Sequence, residues 1–522
     1  MATNGSHFDF VIVGSGTAGN TVAGRLAEDP NVTVLILEAE IGTPQEIAEI
    51  TTPSSAMDLR DSEYDWAYKT TLVKQDDYEC IEKPNTRGKT LGGSSSLNYS
   101  LTNGRNLSAS YHDDPRLYLA ELKKIGPGGP IPISHAELID EMAPFRNALT
   151  KAWKSMAKPL RTTSTMRSGS YLFLKDKPNI TIVPQVHSKR LIVDEADRTC
   201  KGVTVIASSG NELNFYADRE VILSQGVFET HKLLILSGVG PTRELSRHGI
   251  NTIVDSRHVG QNLMDHPGVP FVLRVKDGFG MDDVLMRHGP KRDAIVAEYN
   301  KNKSGPIGSG LLELVGFPRI DKYLEKDANY RKAKAANGGK APFSPYGQPH
   351  FKLDLVCDHL TVVVDLVRPI SDPGEVTLNS SDPFVQPNIN LNFSANDLDI
   401  IAVCEGISSA TLLLKGDAFK DLVVSEYPWE MPLESEEEMK RAVLDRCQTA
   451  FHPTGTARLS KNIDRGVVDP ELKVRGIQKL RVADASVITI RPDCRIQNSV
   501  YMVGEKCADL IKAEHRDLCN GY

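Results

Sequence analysis

Residues 8–40 read FDFVIVGSGTAGNTVAGRLAEDPNVTVLILEAE. An apolar run to Val13, a turn holding Gly14, Gly16 and Gly19, a stretch of small residues and a second apolar run ending at Glu38 make a strand, a helix and a strand. Glycines at this spacing keep the turn tight and let a pyrophosphate approach the backbone. Thr17 and Ala18 open the helix, whose N-terminal N–H groups attract that charge, and an acid closing the next strand accepts the ribose hydroxyls. Strand, turn, helix and acid fall in this order, with Glu38 nineteen positions after Gly19, so the stretch reads as a dinucleotide site. It does not separate NAD from FAD.

The rest of the chain bounds the answer. At 522 residues, with 40% hydrophobic and 25% charged content, it can bury a large core and is expected to form two domains interleaved in sequence. A net charge of -7 without a basic, aromatic-interleaved stripe excludes nucleic acid as an expected partner. No apolar run approaches the roughly 20 residues that span a bilayer, and the first strand begins at Phe8, so no membrane contact and a cytoplasmic location are expected. Eight cysteines without a CxxC pair indicate neither a disulfide framework nor a metal site.

Helical spacing covers 136–154, and 179–226 alternates between turn signals as a strand meander. Residues 351–391 alternate again around Asp372-Pro373-Gly374, which reads as a hairpin-like turn in an antiparallel sheet. Residues 322–343 are polar and predict an exposed helix and loop, and LRVADASVI from Leu480 returns to buried strand and helix patterns.

A second motif separates the cofactors. Residues 87–98, RGKTLGGSSSLN, fail as a phosphate-binding P-loop because position 83 is Lys83 rather than glycine, and no G-x-S-x-G elbow is present. The segment resembles the first signature of the glucose-methanol-choline (GMC) family of FAD-dependent oxidoreductases. GVFETHKLLILSGVG (226–240) resembles the second signature, VGQNLMDHPGVP the segment around Asp265 and His266, and FHPTGTARLS the segment carrying the family's active-site histidine, here His452. The resemblance spans nearly the whole chain.

It implies an α/β, two-domain (α+β) fold: a Rossmann-like FAD-binding domain and an interleaved substrate domain built on an antiparallel sheet. The FAD-binding region is expected over 7–270, with part of 112–165 joining the substrate domain, the substrate domain over 271–440, and a segment returning to the FAD domain over 441–522. The implied cofactor is FAD. Gly92, Gly93, Ser94 and Asn98 are implied to face the flavin, Val186 the adenine half, and Asp484 and Ala485 the ribityl chain or flavin.

Arg495 falls where most members place the partner of the catalytic histidine. A planar, always charged fork there implies an anionic substrate, and DCRIQNSVY resembles the family's formate-oxidising members. Formate is already ionised, with a pKa of about 4, so no base is required. On this reading Arg495 holds both oxygens, His452 adds a hydrogen bond, hydride passes to flavin N5, and positive charge at His452 or Arg495 assists O2 reduction to hydrogen peroxide. The alternative is an impaired paralogue, or an enzyme acting on a small alcohol or aldehyde. It is motivated by segments shortened against the family after Asn98, within 155–170 and within 351–361, and by Glu40 and His231 at unusual positions. An oligomer remains open.

Overall fold

The computed structural model describes the chain apart from residues 1, 41, 57, 74–77, 79–81, 98–133, 136–141, 156–160, 163–165, 168–169, 282–288, 303–304, 309–311, 346, 357–359, 494 and 516–522. The opening stretch forms β1 (His7–Val13), α1 (Thr17–Leu26) and β2 (Val34–Leu37), with the two strands parallel from Phe10↔Val34 to Val13↔Leu37. Phe10 to Val13 and Val34 to Leu37 are all buried, as befits parallel strands covered on both faces. Then come β3 (Ile180–Val183), β4 (Val186–Asp194), β5 (Thr199–Ala207) and β6 (Glu212–Leu223), and the sheet runs β3-β2-β1-β6-β5-β4.

β4, β5 and β6 form the antiparallel meander that their alternation predicts. β3 does not join it. It pairs parallel with β2 from Val34↔Ile180 to Leu37↔Val183, because Pro184 offers no N–H and Gln185, at φ 57, turns the chain before β4.

After α2 (Gly226–Leu236), a second sheet is built from β7 (Pro267–Val275), β8 (Leu312–Gly316), β9 (Phe351–Val356) and β10 (Thr361–Leu366). It is completed beyond α3 (Asp397–Leu414) by β11 (Val423–Tyr427) and β12 (Gln448–Thr449). Its pairings are all antiparallel, as expected of the second domain. α3 lies against it where Gly406 leaves room for the Phe351 ring, which an added Cβ would meet at 2.8 Å.

Asp372-Pro373-Gly374 is not a hairpin. β10 before it belongs to the second sheet, whereas Gly374–Thr377 pairs with Asn388–Asn390 in a third sheet that also holds Tyr68–Thr71 and Glu82–Asn85. At Gly374 an added Cβ would stand 2.0 Å from the Asn390 carbonyl oxygen, so its glycine serves strand approach. The helix expected over 136–154 is described as Ala143–Ser155, its first residues lying outside the described part. Asp321–Leu324 and Ala328–Ala336 are helical, but the segment is less exposed than its polarity predicts: Leu324, Tyr330 and Phe343 are buried, and the last two rings stack at 6.0 Å.

The chain finally returns to the first sheet. β13 (Leu480–Val482) pairs parallel with β6, and α4 (Gln497–Glu514) packs on α1, with Gly504 so close that an added Cβ would lie 2.8 Å from Thr21 Cβ. No helix among the described residues is long and apolar enough to cross a membrane.

Candidate active site

A cleft is lined by Gly14, Gly16, Thr17, Ala18, Glu38, Gly93, Ser94, Val186, Asp484, Ala485, His452 and Arg495. These residues are up to 481 positions apart in sequence and share one cavity. Gly19 and Gly92 support it from behind, and Asn98 lies outside the described residues.

At the first turn the backbone dictates the residue types. Gly14 sits at φ 96, and an added Cβ would meet the Ser224 carbonyl oxygen at 2.7 Å. One on Gly19 would lie 2.2 Å from the Gly14 oxygen, so helix and turn touch. Glu38 accepts the Ser15 N–H at 2.8 Å and the Glu40 N–H at 3.2 Å. Burial pushes its carboxyl up to about 7 against those two bonds. The Val186 N–H donates to the Glu38 carbonyl at 3.0 Å, bringing the start of β4 beside the acid.

The two glycine turns are joined directly. Gly92, at φ 102, donates its N–H to the Ser15 carbonyl at 2.7 Å, and an added Cβ on Gly93 would lie 2.9 Å from Gly16 Cα. The Ser15 hydroxyl donates to Asn20 at 2.6 Å, Asn20 reaches Ser170 at 3.1 Å, and the Ser95 hydroxyl donates to the Gly92 carbonyl at 2.7 Å. A buried chain of small polar groups thus fixes both turns in one frame.

Asp484 lines the cleft with both carboxylate oxygens already engaged. One of its oxygens accepts the Gly226 N–H (2.9 Å) and the Thr230 hydroxyl (2.5 Å), the other the Ser486 N–H (2.8 Å) and hydroxyl (2.5 Å). Four donors from the chain fill its capacity and clamp the start of α2 to the segment after β13.

The histidine end is built from buried charge. Asp265 accepts the N–H groups of His266 (2.7 Å) and His452 (2.9 Å) and the Thr449 hydroxyl, so one carboxylate fixes two backbones. Phe451 between them sits at φ 63, a strained conformation for a bulky residue, with its N–H on Thr449 Oγ1 at 2.8 Å. The side chains of His266 and His452 meet Nδ1 to Nδ1 at 3.0 Å.

Behind them Lys352 and Asp365, directly opposite on β9 and β10, form a buried pair at 2.6 Å. Burial above all, then the charges of Lys352, His266, Arg495 and Arg87, holds His452 well below the usual histidine range. It is neutral. Of the two places where the sequence expects positive charge, His452 or Arg495, burial leaves Arg495: the cations here are the arginines and Lys352.

Sequence reasoning passed over Arg87, which lines the cleft, donates to Asn85 at 2.9 Å and lies with Cζ 5.8 Å from the Phe228 ring centre. Burial lowers it to about 10. Its signal was its place as first residue of RGKTLGGSSSLN. Tyr68 and Glu229 also line the cleft, joined at 2.7 Å with Lys232 on the same carboxylate at 2.8 Å. Asp265, His266 and His452 place nitrogen and oxygen atoms within 4.8 Å, the spacing of a metal centre. Here those atoms are turned to one another and to backbone N–H groups, which is a hydrogen-bonded cluster rather than an open ligand set.

Two family models, both described as GMC oxidoreductase, match residues 164–268 and 369–504. Choline oxidase of Arthrobacter globiformis is 28% identical, over 97% of this chain and 94% of its own. Oxygen-dependent choline dehydrogenase of Burkholderia multivorans is 30% identical, over 97% and 93%. Among solved structures, formate oxidase of Aspergillus oryzae RIB40, carrying an arginine-to-lysine change studied for its effect on FAD modification, superposes with a TM-score of 0.94 at 73% identity over 99% of this chain and 100% of that one.

Proposed function

The chain belongs to the GMC oxidoreductase family, and from that premise we propose that it is an FAD-dependent oxidase converting formate to CO2 while reducing O2 to hydrogen peroxide. The residues fit FAD: Gly14 and Gly93 leave no space for a side chain beside the cleft, the α1 N-terminus opens onto it, and buried Glu38 offers an acceptor for ribose hydroxyls. FAD, when bound, supplies the hydride acceptor and the two-electron route to O2.

The observation that carries the substrate is Arg495 beside His452 in that cleft. Its guanidinium matches a carboxylate through two parallel N–H bonds and fixes the direction of the C–H. Formate, with a pKa of about 4, needs no base before hydride leaves. Phe451 and the buried histidine pair restrict water, and Arg87 adds positive potential. The same field disfavours a quaternary ammonium substrate of the kind named for the choline relatives. Cytoplasmic placement belongs to the same proposal.

A second reading, oxidation of a small alcohol or aldehyde, draws on the neutral His452, which suits a proton acceptor. Anaerobic addition of formate, methanol or formaldehyde to the purified flavoprotein separates the two. Bleaching of the flavin band by formate, followed by peroxide formation in air, is expected. Bleaching by methanol or formaldehyde alone would overturn the formate reading.

A further inference from the structure

One contact crosses the nucleotide end of the cleft from wall to wall. The first wall is the stretch after β2, where Glu38 and Ala39 line the cleft and Glu40, unusual at its position, comes next. The second is formed by Trp66, Arg87 and Gly88, with Lys89 following in the chain. Lys89 Nζ and Glu40 Oε1 meet at 3.1 Å. The same ammonium stands 5.4 Å from the centre of the Trp66 ring, so one cation holds a carboxylate of the first wall and an aromatic face of the second. The two charged side chains are 29% and 25% exposed, which places them at the solvent edge of the cleft, beside residues that line it.

Both ends of the bridge are anchored through backbone. Glu40 donates its N–H to Glu38 Oε1 at 3.2 Å, and its carbonyl accepts the Gln185 N–H at 3.2 Å. Lys89 donates its N–H to the Tyr64 carbonyl and Trp66 its own to the Arg87 carbonyl, each at 2.9 Å. Gly88 is pressed against the second glycine turn, where an added Cβ would stand 2.2 Å from the Gly93 carbonyl oxygen. An exposed ion pair loses much of its Coulomb attraction to the ordering of two long side chains. Here the two backbones are already fixed and the Trp66 ring backs the ammonium, so less ordering is left to oppose the bridge. Burial raises the Glu40 carboxyl, and Lys89 is the strongest influence against that rise.

The neighbours of the bridge say what lies beneath it. Ala39 directly follows the acid that suits ribose hydroxyls, and Gln185, bonded to Glu40, precedes the cleft residue Val186. Trp66 meets His187, which also lines the cleft, edge to face at 6.1 Å. The covered part is the adenosine half of a dinucleotide, away from His452 and Arg495.

We propose that Glu40 and Lys89 form a clasp across the mouth of the dinucleotide site and, with Trp66 behind them, retain the adenosine half of FAD. The clasp joins protein to protein, so it opposes the parting of the walls through which the cofactor leaves, and it acts on the rate of release. The inference rests on the FAD reading of the cleft and is independent of formate.

The test follows FAD leaving the holoenzyme, as the rise of flavin fluorescence after dilution below the unfolding temperature. Lys89→Met keeps the stem beside Trp66 and removes the charge, and it should release FAD about 3- to 5-fold faster than the parent. Glu40→Ala should do the same from the other wall, and it carries the comparison if the methionine variant does not fold. The double variant should be no faster than either single one, because one bridge is lost only once. Lys89→Arg should keep the parental rate. At about 1 M salt, where the screening length is about 3 Å, the parent should approach the rate of the variants.

Parental release from Lys89→Met and Glu40→Ala would overturn the proposal. So would a double variant whose acceleration is the product of the two single ones, since each residue would then act alone. A folded parent without a visible flavin band would overturn the FAD reading and the clasp together, which sets that failure apart from an unchanged release rate.

Discussion

The two halves of the cleft are made by different means. Around Glu38 the work is done by backbone: turns without side chains, and N–H groups that hold one buried acid. Around His452 it is done by side-chain charge drawn from the segment before β7, from β9 and β10, and from the segment before α4. The first kind of site tolerates few residue types at each position but depends on short spacings. The second depends on distant segments arriving in register, and its chemistry follows from how burial and neighbouring charges set protonation.

The largest expected effect tests the charged half. Arg495→Lys keeps the charge and loses the planar fork, so kcat/KM for formate should fall by at least about 100-fold while bound FAD per chain stays at the parental level. Equal loss of flavin would make Arg495 part of the cofactor frame and blur the contrast.

For the backbone half, Gly93→Ala should behave oppositely. An added Cβ 2.9 Å from Gly16 Cα, at φ 52, forces the turns apart. Flavin occupancy should drop steeply and stability by about 2–4 kcal/mol, measured by denaturant titration and flavin absorbance. Retained occupancy would show that the two turns move independently.

Asp484→Asn lies between the halves. Replacing one acceptor oxygen by an amide sets an N–H₂ against either the Gly226 and Thr230 donors or the Ser486 donors, and should cost about 1–3 kcal/mol. Flavin content should fall only modestly. A thermal melt with and without added FAD checks both.

The smallest effects are opposite pH dependences. Burial and the Lys232 charge lower His231 to about 3, and His266 and His452 are lowered as well. The unfolded chain binds these protons near pH 6.5 and the folded chain does not, so this stability is present above about pH 6.5 and lost as pH falls below it. Glu38, raised to about 7, acts in the other direction: its contribution is present below the ordinary carboxylate range and lost as pH rises through 7. His231→Leu should remove a fall in Tm as pH drops from 6.5 toward 3, and Glu38→Gln a fall in Tm as pH rises from 4.5 to 7. Identical curves for both variants would remove the distinction.

The same division explains what the sequence revealed. β1, α1, β2 and Glu38 were legible because their constraints are local: an apolar run, a glycine spacing and one acid lie within 40 residues. The meander over β4 to β6 was legible from alternation, but β3 was assigned to it because periodicity carries no information on the partner, and a short apolar strand pairs equally well with β2. Asp372-Pro373-Gly374 looked like a hairpin since a turn signal says that the chain bends, not that its two arms share a sheet.

His452 and Arg495 were found through family resemblance rather than spacing. Nothing local in FKLDLV announces that Lys352 faces inward to meet Asp365. The neutrality of His452, likewise, follows from burial and from cations on three other segments, which only the folded chain brings together.

The contact of Gly504 with Thr21 sets a timetable for synthesis. α1 is made long before α4, which covers one of its faces, and β6 gains its second parallel neighbour only when β13 is made. The nascent chain therefore carries an open flank on α1 until α4 is made. A ribosome stalled before residue 480 would present the uncovered flank of α1 as a binding target for chaperones.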